Sequence, residues 1–443
     1  MVQEITRETL PYLRNPVFRE YAAMYLDIYD GFVHDVEELG LPFHRDPADL
    51  EQTKAIREQL KAIPEIYSRC EGASLVYKRI SSACEICRLG VGTITSHISF
   101  NCHRNCFFCF NPNQDNYEED LTPNAAWKRE LEEMKMAGEE LTHIALTGGE
   151  PLLHPEESVA FFALARSLYP SAHLRLYTSG DLLTEDLAVR LKDAGLDEIR
   201  FSCKMEDTPE MQEKVLSRIA MAKDILPCVM VEMPVMPDKK KEMEALLLRL
   251  DAIGVWCINL LELCFPFHNA DAFLNRGYFL KYPPYQTLYN FWYAGGLPIA
   301  GSELLALKLM RFAARKNLTM GVHYCSLENK NFGQIYRQNN HPSLWDATQY
   351  FSERDFYLKT IKAFGSDAHQ VKDLFDQNGM HEYRYNKDGE FIQFHPTHAA
   401  LLKNLPVELA LSINVMENRD GEIVTRELKL LRISASDCET GIL

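Results

Sequence analysis

Three cysteines stand in one short run: Cys102, Cys106 and Cys109, in SFNCHRNCFFCFNPNQ, with C-x3-C-x2-C spacing. Three thiolates in one loop can grip three irons of a cubane [4Fe–4S] cluster; complete protein ligation takes four. Three ligands therefore leave one iron open to a small molecule. On spacing, the alternatives are a zinc site and a redox dithiol. Zinc prefers four N/S ligands in paired knuckles, and His103, directly beside Cys102, is badly spaced for a second ligand from the same loop. A second group lies upstream: Cys70, Cys84 and Cys87, in RCEGASLVYKRISSACEICRLG. This C-x13-C-x2-C set needs one more ligand for a closed cubane, and Cys325 in HYCS is the best remaining candidate. Structural zinc, an auxiliary cluster with an open iron, and unconnected buried thiols are its other readings. Cys228, Cys257 and Cys264 fall within or beside apolar strands and read as packing.

The triad follows an apolar run, GTITSHISF, that reads as a strand. After it comes FNPNQDNYEED, and Thr122-Pro123 then opens a helix as N-cap and first-turn residue. The next strand, HIALTGGEPLLHP, ends in Gly148-Gly149-Glu150-Pro151. Two glycines let a ligand approach the backbone closely. Their N–H groups and the Glu150 carboxylate suit an amine.

With C-x3-C-x2-C, an aromatic (Phe108) before the last cysteine and GGEP about forty residues on, the chain resembles the radical S-adenosylmethionine (radical SAM) superfamily. The resemblance implies a [4Fe–4S] cluster on Cys102, Cys106 and Cys109 whose open iron chelates the amino and carboxylate groups of SAM. It implies that Gly148, Gly149 and Glu150 contact the SAM amino group and that backbone near Phe108 contacts the adenine. It further implies reductive cleavage of SAM to a 5′-deoxyadenosyl radical, fed by a one-electron donor such as flavodoxin or ferredoxin.

Elements able to position these residues can be read along the chain. Helical and strand patterns alternate six times across roughly 93–266, which implies a parallel sheet with right-handed crossovers. Six units fit the partial (βα)6 TIM-type barrel expected of the superfamily. Active sites of parallel barrels sit at the C-terminal strand ends, where the triad and GGEP both fall. Ser179 follows strand three, Ser202 and Cys203 end strand four, and Glu232 lies on strand five. Ser179, Ser202 and Glu232 are therefore candidate SAM contacts, by analogy with the ribose and carboxylate contacts of the family. Some members return a hydrogen atom from a cysteine thiol, and Cys203 or Cys438 is the candidate here.

Around the barrel (91–267), residues 1–90 read as an N-terminal helical cap, with helices near 16–38 and 46–63. Residues 268–443 read as a C-terminal α+β extension. It opens with an aromatic stretch, GYFLKYPPYQTLYNFWYAGGLPIAGS, suited to core packing or a substrate cleft. It closes with two hairpin patterns turning at Asp388-Gly389 and Asp420-Gly421. The upstream cysteines precede strand one, which places a second cluster at the barrel bottom, opposite the first.

The chain has 443 residues and a net charge of −16, from 47 Lys+Arg against 63 Asp+Glu. That balance disfavours a nucleic-acid substrate, because such binders neutralise phosphates with Lys and Arg. No apolar run is long enough for a membrane span, and no secretory signal pattern opens the sequence. Twelve cysteines in a chain of this kind are expected as thiols in a cytoplasmic enzyme. The added N-terminal region, the aromatic segment and the extra cysteines suggest a peptide- or protein-modifying maturase of the RiPP type. Such enzymes usually carry their auxiliary cysteines after the barrel, and this chain departs from that. A small-molecule epimerase, dehydratase or rearrangement enzyme is one alternative, and an activase of a glycyl-radical enzyme is another.

Overall fold

The computed structural model describes residues 2–124, 126–289 and 295–439. The chain forms two compact units: Leu41–Pro284 with Phe291–Asn331, and Met1–Gly40 with Tyr285–Asn290 and Phe332–Leu443. These boundaries differ from three consecutive segments divided near residues 90 and 267. The helix over 16–37, expected in a cap on the barrel, packs instead with the C-terminal strands.

The first unit is built on parallel strands in sequence order: Thr93–His97, His143–Thr147, His173–Thr178, Glu198–Phe201, Cys228–Val235 and Cys257–Glu262. Helices Ala126–Met136, Pro155–Leu168, Glu185–Asp193, Pro209–Ile225 and Lys240–Ile253 connect them. The six βα alternations are therefore present, and the class is α/β. The local signals explain the boundaries. Thr184 and Thr208 accept from the Leu187 and Met211 amides, capping two of the helices and satisfying orphan donors. Gly254 ends a third helix at φ +86°, where a Cβ would be strained. One cap moved. Asn124, not Thr122, accepts from the Ala126 amide at 2.9 Å, so the helix begins later than expected.

A seventh parallel strand, Gly321–Cys325, pairs with Cys257–Glu262. The sequence reading put this segment outside the barrel. It joins the sheet because Ser302–Arg315, buried along most of its length, supplies another crossover helix. The hairpin Ile66–Arg69/Ser74–Tyr77 then adds antiparallel to its outer edge. The inward rows are unusually polar for a parallel sheet. Arg175, Glu198, Arg200, Asn259 and His323 are all buried.

The second unit is a seven-stranded sheet. Gln3–Glu4, Glu422–Ile433, Leu409–Arg419, Leu358–Phe364, Phe391–Phe394 and Tyr383–Asn386 pair in that order, and Tyr350–Phe351 pairs with Leu358–Phe364. Both expected hairpins are present here, 383–394 and 409–433. The Pro16–Glu37 helix starts at Asn15, which accepts from the Val17 and Phe18 amides and donates to Phe364 O at 2.8 Å. Its Phe18 stacks on Phe364 with ring centroids 4.7 Å apart. Cys438 packs against the core around Phe375 and Phe394. Among the described residues no helix is long and apolar enough to cross a membrane.

Candidate functional site

The site begins with the loop that follows the first parallel strand. Phe107 anchors it, packing edge-on against Phe273 at 4.8 Å, while Arg276 lies 4.1 Å over the Phe107 ring. Phe108 is only half-buried and meets Phe107 edge-on. His268 Nε2 reaches Cys109 O at 2.9 Å, Asn269 donates to Phe107 O and Asn113 donates to Pro266 O. Residues 266–276 thus bracket the cysteine loop. Residues 290–294 of the aromatic stretch lie outside the described residues.

His103 is not aimed at a metal. Its Nε2 pairs with Asp181 Oδ2 at 2.9 Å, and Arg104 pairs with Asp207 and lies 3.8 Å from Asp181. These contacts fix the loop to the ends of strands three and four. Cys102, Cys106 and Cys109 interact electrostatically with one another. Burial pushes all three thiols up, Cys106 to about 11, while Lys204 acts on each in the opposite sense. Lys204 is itself 8% exposed. It stands with Ser202 and Cys203 at the end of strand four, a candidate position by sequence, although Ser202 and not Lys204 is the expected SAM contact there.

Gly148 and Gly149 are needed for close packing, but the neighbour is protein. A Cβ on Gly149 would lie 2.0 Å from Asn101 O, and one on Gly148 would lie 2.6 Å from Ser99 O. The amides of Gly149 and Glu150 donate to Ser99 O and Asn101 O at 3.0 and 2.9 Å. Asn111 Nδ2 donates to Gly148 O at 2.6 Å. The GGE stretch therefore clasps the residues that lead into Cys102. Glu150, 2% exposed, accepts from Thr178 Oγ1, Ser179 N, Ser179 Oγ and Leu152 N. Ser179 Oγ also lies 2.6 Å from Asp181 Oδ1, so one hydroxyl proton serves two carboxylates. Burial raises the Asp181 carboxyl, but hydrogen bonds from Ser179 and His103 outweigh it and hold the group below its usual range.

Residues 96–250 match the profile of the Radical SAM superfamily. Over that segment the chain belongs to the radical SAM superfamily. It is an enzyme of that group, and the family implies a [4Fe–4S] cluster and SAM. A protein of Methanocaldococcus jannaschii, provisionally named a glycyl-radical enzyme activating enzyme, is 24% identical over 314 residues, 68% of this chain and 79% of its own. Among solved structures, SuiB of Streptococcus suis aligns at 12% identity and TM-score 0.38, covering 60% of this chain and 54% of its own. A structure of anSMEcpe with AdoMet and a Cp18Cys peptide aligns at 16% identity and TM-score 0.32, covering 39% and 51%. BtrN with AdoMet and 2-DOIA aligns at 22% identity and TM-score 0.23, covering 28% and 55%. The chain spans about half the length of these solved radical SAM structures.

Among the described residues, no three His, Cys, Asp or Glu side chains converge on a single-ion site. A cubane spreads three thiolates over three different irons, so the radical SAM triad needs no common point. Its donor set fits: three thiols from one anchored loop, facing a buried lysine.

The other sequence candidates separate. Ser202 donates its amide to Thr178 O at 2.9 Å, next to Ser179. Cys203 is buried, and burial lifts its thiol to about 12. Glu232 is engaged elsewhere, accepting from Arg200 and Asn259 at 2.7 and 2.6 Å. Cys70, Cys84, Cys87 and Cys325 fall within electrostatic range of one another. Cys87 interacts electrostatically with Cys70 and Cys325, and Cys84 with Cys325. They do not lie at the bottom of the sheet as a set. Cys325 pairs beside Leu261, one residue from the C-terminal end of strand six. The expectation failed because the strand that carries Cys325 runs parallel to the others.

Proposed function

We propose that this chain cleaves SAM reductively at a cluster held by Cys102, Cys106 and Cys109, and that its substrate is a polypeptide. The observation that carries the first part is the cysteine loop clasped by Gly148–Glu150 within the segment that matches the superfamily. When bound, cluster and SAM together supply a 5′-deoxyadenosyl radical for hydrogen abstraction. The chain's own residues bind, orient and exclude water. Lys204 offers a positive charge to the SAM carboxylate. Gly148, Gly149 and Glu150 line the amino group, backbone near Phe108 meets the adenine, and Ser179 and Ser202 line the ribose side. Glu232 is withdrawn from that set by its ion pair with Arg200. The sequential sheet is read as a partial barrel opening toward these strand ends. Flavodoxin or ferredoxin is the expected electron donor.

The polypeptide reading, a RiPP-type maturase, rests on the aromatic segment and the extra cysteines. An activase of a glycyl-radical enzyme is the second reading, favoured by the name of the M. jannaschii relative; it too acts on a polypeptide. A buried, protonated Cys203, or Cys438, would serve as hydrogen-atom donor in an epimerase. Cys70, Cys84, Cys87 and Cys325 are read as ligands of a second cluster.

The test is anaerobic reconstitution followed by dithionite and SAM. Formation of 5′-deoxyadenosine is expected; none from fully loaded protein overturns the assignment. Repeating the reaction with perdeuterated cell extract identifies the substrate class. Deuterium should enter 5′-deoxyadenosine from the macromolecular fraction, and label from the small-molecule fraction alone rejects the polypeptide.

A further inference from the structure

The buried polar row inside the sheet ends on the upstream cysteines. Asn259 Nδ2 donates to Cys84 Sγ at 3.3 Å and to Glu232 Oε2 at 2.6 Å. Its carbonyl oxygen lies 2.9 Å from His323 Nδ1. An amide oxygen only accepts, so His323 carries its proton on Nδ1. Nε2 then accepts from the Ser74 hydroxyl at 2.8 Å. Glu232 is fixed in turn by Arg200 Nη1 at 2.7 Å, and Arg200 Nε holds Glu198. Every link in this chain forces the Asn259 amide the same way round, with its N–H₂ toward sulfur.

A second asparagine does the same elsewhere. Asn329 Nδ2 donates to Cys325 Sγ at 3.2 Å, and its own amide N–H is tied to Ser326 Oγ. Thus two of the four thiols each receive an amide N–H. Nearby, Arg200 is 3% exposed, yet its Nη2 has no hydrogen-bond partner among the described residues. A buried guanidinium N–H without an acceptor is costly. It points to an anionic group at this position.

The fold gathers these parts. The hairpin that turns at Cys70 pairs its second strand onto the strand ending in Cys325, with Ser74 opposite Cys325. Arg69 bridges from Cys70 to the segment holding Cys84 and Cys87, donating to Cys84 O at 3.2 Å and Glu85 O at 2.8 Å.

Resting on the second-cluster reading above, the geometry points to Asn259 and Asn329 as positioning residues that raise the reduction potential of an iron–sulfur cluster on Cys70, Cys84, Cys87 and Cys325. Hydrogen bonds to the sulfurs are one of the levers that set such potentials. An N–H donor stabilises the extra negative charge of the reduced form. The relay Ser74–His323–Asn259–Glu232–Arg200 keeps that donor aimed.

The test uses the Cys102/Cys106/Cys109→Ala protein, in which only the second site can hold iron. About four irons per chain are expected after anaerobic reconstitution. No iron, or zinc in its place, rejects the second cluster itself. If iron is present, Asn259→Leu is added and the cluster is titrated by EPR against a redox buffer. Iron should stay, and the one-electron reduction equilibrium should weaken about tenfold, a fall of about 59 mV. Asn329→Leu should act in the same direction through Cys325. Full iron with unchanged midpoints in both variants overturns the tuning role, as does loss of iron in both.

Discussion

Replacing Gly149 by alanine isolates a purely steric demand at the site. Gly149 does not occupy the left-handed region, so alanine can adopt its backbone angles. The new methyl, however, meets Asn101 O at 2.0 Å and the carbonyl carbons of Asn101 and Phe100 at 2.5 Å. These are backbone atoms, so relief requires the 99–101 segment to move. Overpacking of this kind costs about 1–3 kcal/mol. Moving the segment also loosens the Ser99 and Asn101 hydrogen bonds to the GGE amides, at about 1 kcal/mol each. The sum, about 3–5 kcal/mol, lowers Tm by on the order of 10 °C for a domain of this size. Asn101 immediately precedes Cys102, so iron bound by the triad and SAM affinity should fall together. Differential scanning calorimetry, iron content and equilibrium dialysis with SAM read the three effects. Gly138→Ala is the control: φ is +77° but nothing lies within 4 Å of its Cβ, which leaves only a strain of about 1–2 kcal/mol. A Gly149→Ala protein with wild-type Tm and full iron would refute the clasp.

Cys102→Ala should abolish 5′-deoxyadenosine formation in the dithionite assay, because three ligands from one loop leave none to spare. Lys204→Met should keep its iron but bind SAM at least tenfold more weakly, which isothermal titration of the reconstituted protein measures. Glu303→Gln should cost about 3 kcal/mol in urea unfolding, because buried Glu303 holds the half-buried Lys281 at 2.6 Å and Arg57 at 2.5 Å. Burial raises the Glu303 carboxyl, but Lys281 and Arg57 outweigh it and carry it down to about 2, well below the usual carboxylate range. Its contribution is therefore complete above pH 4.5 and drains away as the pH falls toward the folded value. The wild type should lose stability over that acid window, and the Gln variant should lose less.

Much of the site was legible because its chemistry is local. The C-x3-C-x2-C loop, GGEP and Ser179 fall at successive strand ends, and the alternating pattern located those ends within a few residues. The packing role of the glycines left no trace in the sequence, since only three dimensions reveal that the Ser99 and Asn101 backbone lies against them. Glu232 was placed on the right strand, but its partners, Arg200 and Asn259, lie on neighbouring strands and register is invisible in one sequence. The strand carrying Cys325 was missed as a sheet member because the long connection after residue 262 obscures the alternation. His268 and Asn269 were missed altogether, as their partners are backbone carbonyls and leave no side-chain pattern to find.

The pairing of Gln3 with Arg432 and Glu4 with Leu431 has a consequence for synthesis. The edge strand leaves the ribosome more than four hundred residues before its partner. At about 5–20 residues per second, that is a wait of on the order of half a minute. The parallel sheet and all seven proposed cluster ligands emerge before then. Metal loading can therefore precede closure of the antiparallel unit, and a chain truncated before residue 409 would lose that unit while still carrying all seven proposed cluster ligands.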